Sequence, residues 1–246
     1  MWKADQWKDY EVLDTSDGEK LERWGSFYLV RPDPQVIWST PRQDPRWKRF
    51  DARYARSSTG GGHWSAHHLP EHWCIRYREL TFQVKPMNFK HTGVFPEQAA
   101  NWDFIDDQIR RAGRPVSVLN LFAYTGGATL AAAAAGASVC HVDAAKGVRL
   151  VGSEMCIRDR IWKLEKDLFP FLKLVSGVLS DDPLFFIINS YTTGLAPSVL
   201  TCLLDSVVTP RFGGGTVSDE LGLPVTDSGL VLPCGATGRW TREGRA

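Results

Sequence analysis

Gly126-Gly127 and Asp143 are the residues best placed for chemistry in this sequence. The glycine pair follows a short apolar run, Val116-Ser117-Val118-Leu119-Asn120-Leu121-Phe122, and opens an almost unbroken alanine stretch from Ala128 to Ala135. Asp143 closes a second apolar run, Ser138-Val139-Cys140-His141-Val142. A glycine turn between a strand and a helix lets a ligand approach the backbone closely, with the free N–H groups of the helix aimed at it. A carboxylate ending the next strand lies beside the same crevice and can accept hydrogen bonds from two ribose hydroxyls. This points to a nucleoside-bearing cofactor. Gly126-Gly127 lacks the spaced glycines of the pyrophosphate fingerprint, which disfavours nicotinamide and flavin dinucleotides. A cofactor without phosphate, S-adenosylmethionine, fits better. The plainer alternative is a turn and a strand-end acid that merely close an α/β layer.

The elements that must position these residues can be read locally. The run 116–122 has the composition of a buried parallel strand, and alanine is the best helix former. Gly136 stands where a helix end favours left-handed backbone angles. Strand, turn, helix and second strand make a βαβ unit. Upstream, Ala99, Trp102, Ile105 and Ile109 recur at helical spacing between Pro96 and Arg111, and Gly113-Arg114-Pro115 stops that helix. Downstream, Leu164, Leu168, Leu172, Val175 and Leu179 line one side of an amphipathic helix over 161–180. Gly213-Gly214-Gly215 reads as a turn and Leu230 to Gly235 as a late strand. Residues 1–85 read instead as a β-rich extension: aromatic residues are separated by turn formers such as Asp17-Gly18 and Asp44-Pro45, with strand-like runs at 26–30 and 80–84. The domain reading is therefore 1–85 as this extension, with substrate or RNA binding as its possible role, and 86–246 as a Rossmann-like domain.

The 246 residues carry 29 Lys plus Arg against 28 Asp plus Glu and are 43% hydrophobic, which excludes a disordered or collagenous chain and a general polyanion coat. No apolar run reaches the roughly 18 residues that span a bilayer, and Met1 to Tyr10 lacks the apolar stretch of a secretory signal, so the expected location is cytoplasmic. Cys74, Cys140, Cys156, Cys202 and Cys234 show no paired spacing, so reduced, mostly buried thiols are expected, with neither zinc nor disulfides. His67, His68 and His72 lack Asp or Cys partners at ligand spacing and read as surface histidines; no metal is expected. His91 and His141 read as structural.

The stretch from Val118 to Gly127, followed by Val142-Asp143-Ala144-Ala145-Lys146-Gly147, resembles motifs I and II of class I S-adenosylmethionine-dependent methyltransferases. It is most similar to the branch of 23S ribosomal RNA cytosine-C5 methyltransferases. Lys90-His91-Thr92-Gly93-Val94-Phe95-Pro96-Glu97-Gln98 resembles that branch's segment before motif I, and Leu184 to Gly194 its fifth strand and following loop. The resemblance covers positions 10 to 240 with one break. It implies a cofactor-binding set of Phe95, Gln98, Asn120, Phe122, Tyr124, Thr125, Gly126, Gly127, Asp143 and Asn189. Within it, Phe122, Tyr124, Thr125 and Gly126 cradle the cofactor, Asp143 meets the ribose hydroxyls, and Phe95 and Gln98 lie at the methionine end. Ribosomal RNA is the implied partner, and no catalytic residue is assigned.

The sequence also departs from that pattern. Ala144 to Pro183 is 40 residues, one helix already occupies part of it, and a complete βαβ unit takes about 30 or more, so strands three and four of the family sheet do not fit. The acceptor-binding Asp/Asn-Pro-Pro motif is absent from the sequence. Val151 to Arg160 resembles translated sequencing-adapter DNA and marks a chimeric junction, with a natural deletion as the alternative. Cytosine-C5 chemistry needs a cysteine thiolate that adds to the ring, and the loop after the fifth strand holds Asn189-Ser190-Tyr191 in its place, which leaves a heteroatom acceptor open. Residues 42–56 interleave Arg42, Arg46, Lys48, Arg49, Arg53 and Arg56 with Trp47, Phe50 and Tyr54. This suits phosphate contact and base stacking, or equally a charged face whose rings turn into a small core. Two readings stand: a methyltransferase that has lost its acceptor half-site, and a non-catalytic cofactor- or RNA-binding relative.

Overall fold

The computed structural model describes residues 1–57, 61–87, 89–143, 164–192 and 194–243. The junction read at 151–160, with Cys156, lies outside the described residues. The chain falls into two compact units: Met1–Asp103 with Leu221–Cys234, and Phe104–Glu220 with Gly235–Ala246.

The first unit is built on a five-stranded sheet, β2 (Tyr10–Ser16), β3 (Glu19–Trp24), β4 (Phe27–Pro32), β5 (Ala52–Arg56) and β6 (Gly62–Ala66), in that spatial order. Its neighbours are antiparallel except β4 and β5, which run parallel. A separate hairpin pairs β7 (Trp73–Tyr77) with β8 (Leu80–Val84), and β1 (Trp2–Lys3) pairs with Leu221 and Gly222. The tryptophan-rich composition is spent on packing. Trp7 stands against Tyr10, Tyr77, Phe82 and Trp102, with ring centroids 4.7 to 6.4 Å apart. Leu13, Leu21, Val30 and Trp47 form a second cluster that Tyr28 and Phe50 cover. Of the two readings of 42–56, the rings take the inward one: Trp47 and Tyr54 are buried. Three of the arginines around them are paired with carboxylates. Arg46 binds Asp44, Arg53 binds Glu19, and Arg42 binds Glu19 while stacking on Trp47.

At the heart of this unit lies a buried ion pair. Arg31 reaches Glu22 through Nε at 2.5 Å and Nη2 at 2.7 Å, Tyr10 donates its hydroxyl to the same carboxylate at 2.6 Å, and Lys20 stands 3.6 Å away. Arg31 Nη1 also donates to the Lys90 carbonyl, tying the segment that begins there to the sheet.

In the second unit, β9 (Ser117–Leu121) and β10 (Ser138–Val142) pair in parallel, with α2 (Gly127–Ala134) between them in sequence. The strand, helix and strand fall where local pattern puts them. Gly136, at φ 100°, ends α2 as expected: its N–H meets the Ala133 carbonyl and the Ala137 N–H meets that of Ala132, which satisfies two orphan carbonyls of the last turn. Ala128, Ala132 and Ala135 pack with Val118 and Val139, joined by Ile105 and Ile109 of α1 (Ala99–Arg111). After the undescribed stretch come α3 (Leu164–Ser176), β11 (Phe185–Ser190), α4 (Pro197–Val207) and α5 (Thr209–Phe212). β12 (Gly215–Pro224) and β13 (Val231–Thr241) follow. β11 pairs antiparallel with β13, and its alternating residues meet two clusters: Phe185 and Ile187 one, Phe186 and Ile188 the other, around Leu204, Val208, Phe212 and Trp240.

One expectation is corrected here. The run 116–122 has the composition of a buried strand, yet among the described residues β9 and β10 are covered on the α2 side, which Val118, Asn120, Val139 and His141 face, whereas Leu119 is 43% exposed and Cys140 is exposed. Parallel sheets are normally covered on both faces. Among the described residues β9 has β10 as its sole strand partner, and β11 joins a different sheet. The thiols are likewise less hidden than expected, with Cys74 and Cys202 also exposed.

Candidate cofactor site

Where β9 ends, the backbone bends sharply. Phe122, Tyr124 and Gly126 all adopt left-handed angles, at φ 53°, 50° and 94°. Two of the three carry side chains, a strain of about 1–3 kcal/mol each that persists where the surroundings over-determine it, commonly at ligand clamps. The surroundings here are specific. The Ala123 N–H continues the ladder to the Val142 carbonyl at 3.1 Å, and one residue on, the Tyr124 N–H donates to Asp143 Oδ2 at 2.7 Å. The carboxylate thus takes over where the strand carbonyls stop, which puts the acid and the bend side by side at the carboxyl ends of two parallel strands. That is the crevice in which open α/β sheets bind ligands.

Gly126 is the N-cap of α2. No side chain caps the helix, and its first bond runs from Leu130 N–H to the Gly126 carbonyl at 2.8 Å. A Cβ at position 126 would stand 3.4 Å from His141 Cε1 and 3.7 Å from Thr129 Cβ, besides adopting a φ that L side chains resist. Those distances are ordinary contacts, so it is the left-handed φ that asks for glycine at this position.

The structure brings Asn120, Tyr124, Gly126, Gly127 and Asp143 of the expected set together at this bend, with Thr125 exposed at its tip. Phe122 is 72% exposed, and its ring centroid stands 5.7 Å from that of Phe171 on α3. Asn189, on β11, accepts a hydrogen bond from the Thr237 hydroxyl. Phe95 and Gln98 belong to the first unit. Phe95 stacks edge-on with His91 at 5.2 Å, and Gln98 Oε1 accepts from Asn101 at 2.9 Å. Burial, reinforced by the charges of Arg31, Lys90 and Lys20, holds His91 below the usual imidazole range. His67, His68 and His72 lie exposed.

Sequence reasoning missed Thr129 and His141. Asn120 Nδ2 donates to Thr129 Oγ1 at 2.9 Å, and that hydroxyl lies 2.9 Å from His141 Nδ1. The signal was present, since Thr129 is the lone hydroxyl within the helix Gly127–Ala134.

A Rossmann-like α/β unit with a glycine bend and a strand-end acid, together with a β-rich N-terminus, is the fold of S-adenosylmethionine-dependent methyltransferases. No family model matches the chain, and neither does any curated protein. Among solved structures, the chain is similar to the SAM-dependent methyltransferase from Agrobacterium tumefaciens, at TM-score 0.85 and 26% identity over 98% of this chain and 92% of that one. It also shares its fold with a putative SAM-dependent methyltransferase from Streptococcus mutans, at TM-score 0.65 and 16% identity over 96% of this chain and 76% of that one. A third, SMU.776, a putative methyltransferase solved in complex with SAH, gives TM-score 0.63 and 16% identity over the same shares. Among the described residues no helix is long and apolar enough to cross a membrane.

Proposed function

We propose that the bend at 122–127 and Asp143 hold S-adenosylmethionine, and that the chain is a methyltransferase whose acceptor half-site has been lost. The observation that carries the cofactor reading is the 2.7 Å bond from the Tyr124 N–H to the Asp143 carboxylate, which sets an acid against a left-handed glycine bend. The left-handed glycine bend suits a ligand that lies along backbone, and the agreement in fold with SAM-dependent methyltransferases supports the same choice. When bound, the cofactor supplies an electrophilic methyl group. The chain's own residues supply position: Asp143 would accept the ribose hydroxyls, and the Gly126-Gly127 backbone would let the adenosine approach α2. Alignment is the main demand of such a displacement.

The loss of the acceptor half-site is supported by the bare face of β9 and β10 and by the lack of any strand joining β9 to β11 among the described residues. Ribosomal RNA is the acceptor class we propose for the intact parent, on the resemblance of residues 90–98 and 118–127. Within 42–56, Arg42, Arg46 and Arg53 are already paired with carboxylates, and Trp47 and Tyr54 are buried, so these residues lend that acceptor no support. The Asn189-Ser190-Tyr191 sequence at the end of β11, which has no cysteine, favours a heteroatom acceptor over carbon-5 of cytosine.

Calorimetric titration tests the cofactor half. The chain is expected to bind S-adenosylmethionine, and Asp143→Ala is expected to weaken it about 100-fold, on the order of two lost hydrogen bonds to a charged acceptor. No heat with the unmutated chain would remove the reading. Genomic DNA read across codons 145 to 165 tests the junction: an uninterrupted natural gene encoding Val151–Arg160 would defeat the chimera.

A further inference from the structure

We infer that Asn120, Thr129 and His141 form a positioning clamp that holds the glycine bend in its binding geometry, an inference that rests on the cofactor reading of the same bend. The three residues come from three elements, β9, the third residue of α2, and β10. Strand register sets Asn120 directly opposite His141 on the face that carries α2, and Thr129 drops between them. Thr129 Oγ1 accepts from the Asn120 amide and stands 2.9 Å from His141 Nδ1, so one hydroxyl joins the two strands.

The arrangement does something the backbone does not. The N-cap of α2 is a glycine with no side chain to close the first turn, and the next residues are glycine and alanine. Thr129 is the first side chain in the helix able to make a directed bond, and it spends its hydroxyl on both strands. The His141 ring stands beside the bend: a Cβ on Gly126 would lie 3.4 Å from it, at ordinary contact distance. Packing alone would let a helix of small alanines slide along the strands. Two directed bonds from one atom fix its register, and with it the position of Gly126.

Thr129→Val keeps the shape and removes both bonds; Thr129→Ser keeps the hydroxyl. With the full chain, Thr129→Val is expected to weaken S-adenosylmethionine about tenfold, the loss of roughly one net hydrogen bond. It is also expected to speed amide deuterium exchange in the peptide spanning 121–127 while exchange in α4 and β13 stays unchanged, and Thr129→Ser is expected to restore both readouts. Valine binding as tightly as threonine, exchange rising across the whole unit, or serine failing to rescue would each overturn the clamp. If the unmutated chain binds no S-adenosylmethionine, the cofactor reading falls by itself, and local exchange at 121–127 alone decides for or against the clamp.

Discussion

Restoring a strand–helix–strand passage of about fifty residues between Ala144 and Leu164, roughly what such a passage and its loops occupy, is expected to turn a self-associating chain into a monomer with one cooperative melting transition. The 246-residue chain itself is expected to sediment as a mixture of oligomers and to melt broadly. The reason lies in β9 and β10. Among the described residues the two parallel strands have no further strand partner, and on the side away from α2 Leu119 is 43% exposed. Free edges of this kind template pairing with other chains, and a lone strand pair is marginal in water. On the proposed reading, the restored passage would supply further strand neighbours, cover the second face and return an acceptor loop, so methyl transfer to ribosomal RNA is expected in the restored chain and not in the present one. Sedimentation velocity, calorimetry and transfer of labelled methyl groups check the three parts. A monomeric, sharply melting and active 246-residue chain would show that nothing is missing.

The second large effect is expected in the first unit. Glu22→Ala should destabilise it by about 3–5 kcal/mol, because removing one partner leaves the guanidinium of Arg31 buried without its counter-charge. A Glu22→Leu, Arg31→Met double variant is expected to lose less, since it buries no lone charge. Denaturation followed by tryptophan fluorescence reports on this unit, where eight of the ten tryptophans lie. The same pair gives a pH dependence. Burial alone would raise the Glu22 carboxyl, but Arg31 and Lys20 outweigh it and hold it at about 2, below its usual 4.5. A depressed carboxyl contributes fully above its unfolded value and loses its contribution as the pH falls through the folded one. Stability of the first unit is therefore expected to fall between pH 4.5 and about 2, by roughly 3 kcal/mol. In Glu22→Gln that slope should flatten; an unchanged slope would assign the acid loss to other carboxylates.

Much of the candidate site is legible in residue order because its geometry is local. An apolar run, a glycine pair, an alanine helix closed by Gly136 and an acid after the next run are each set by backbone preference within a few residues, and the structure forms them at those places. The left-handed Phe122 and Tyr124 were not legible, since neither residue type favours that conformation; the bond to Asp143, nineteen residues on, accompanies it.

By itself, then, the order of residues determined the βαβ unit, the helix after Pro96 and the strand-rich N-terminal part, all of which depend on spacing along the chain. Only the tertiary structure decided that the rings of 42–56 turn inward, that α2 covers one face of β9 and β10 while Leu119 on the other is 43% exposed, and that Thr129 joins Asn120 to His141. Those outcomes depend on which distant segments compete for the same apolar surface and the same hydrogen bonds, and no local pattern records the winner.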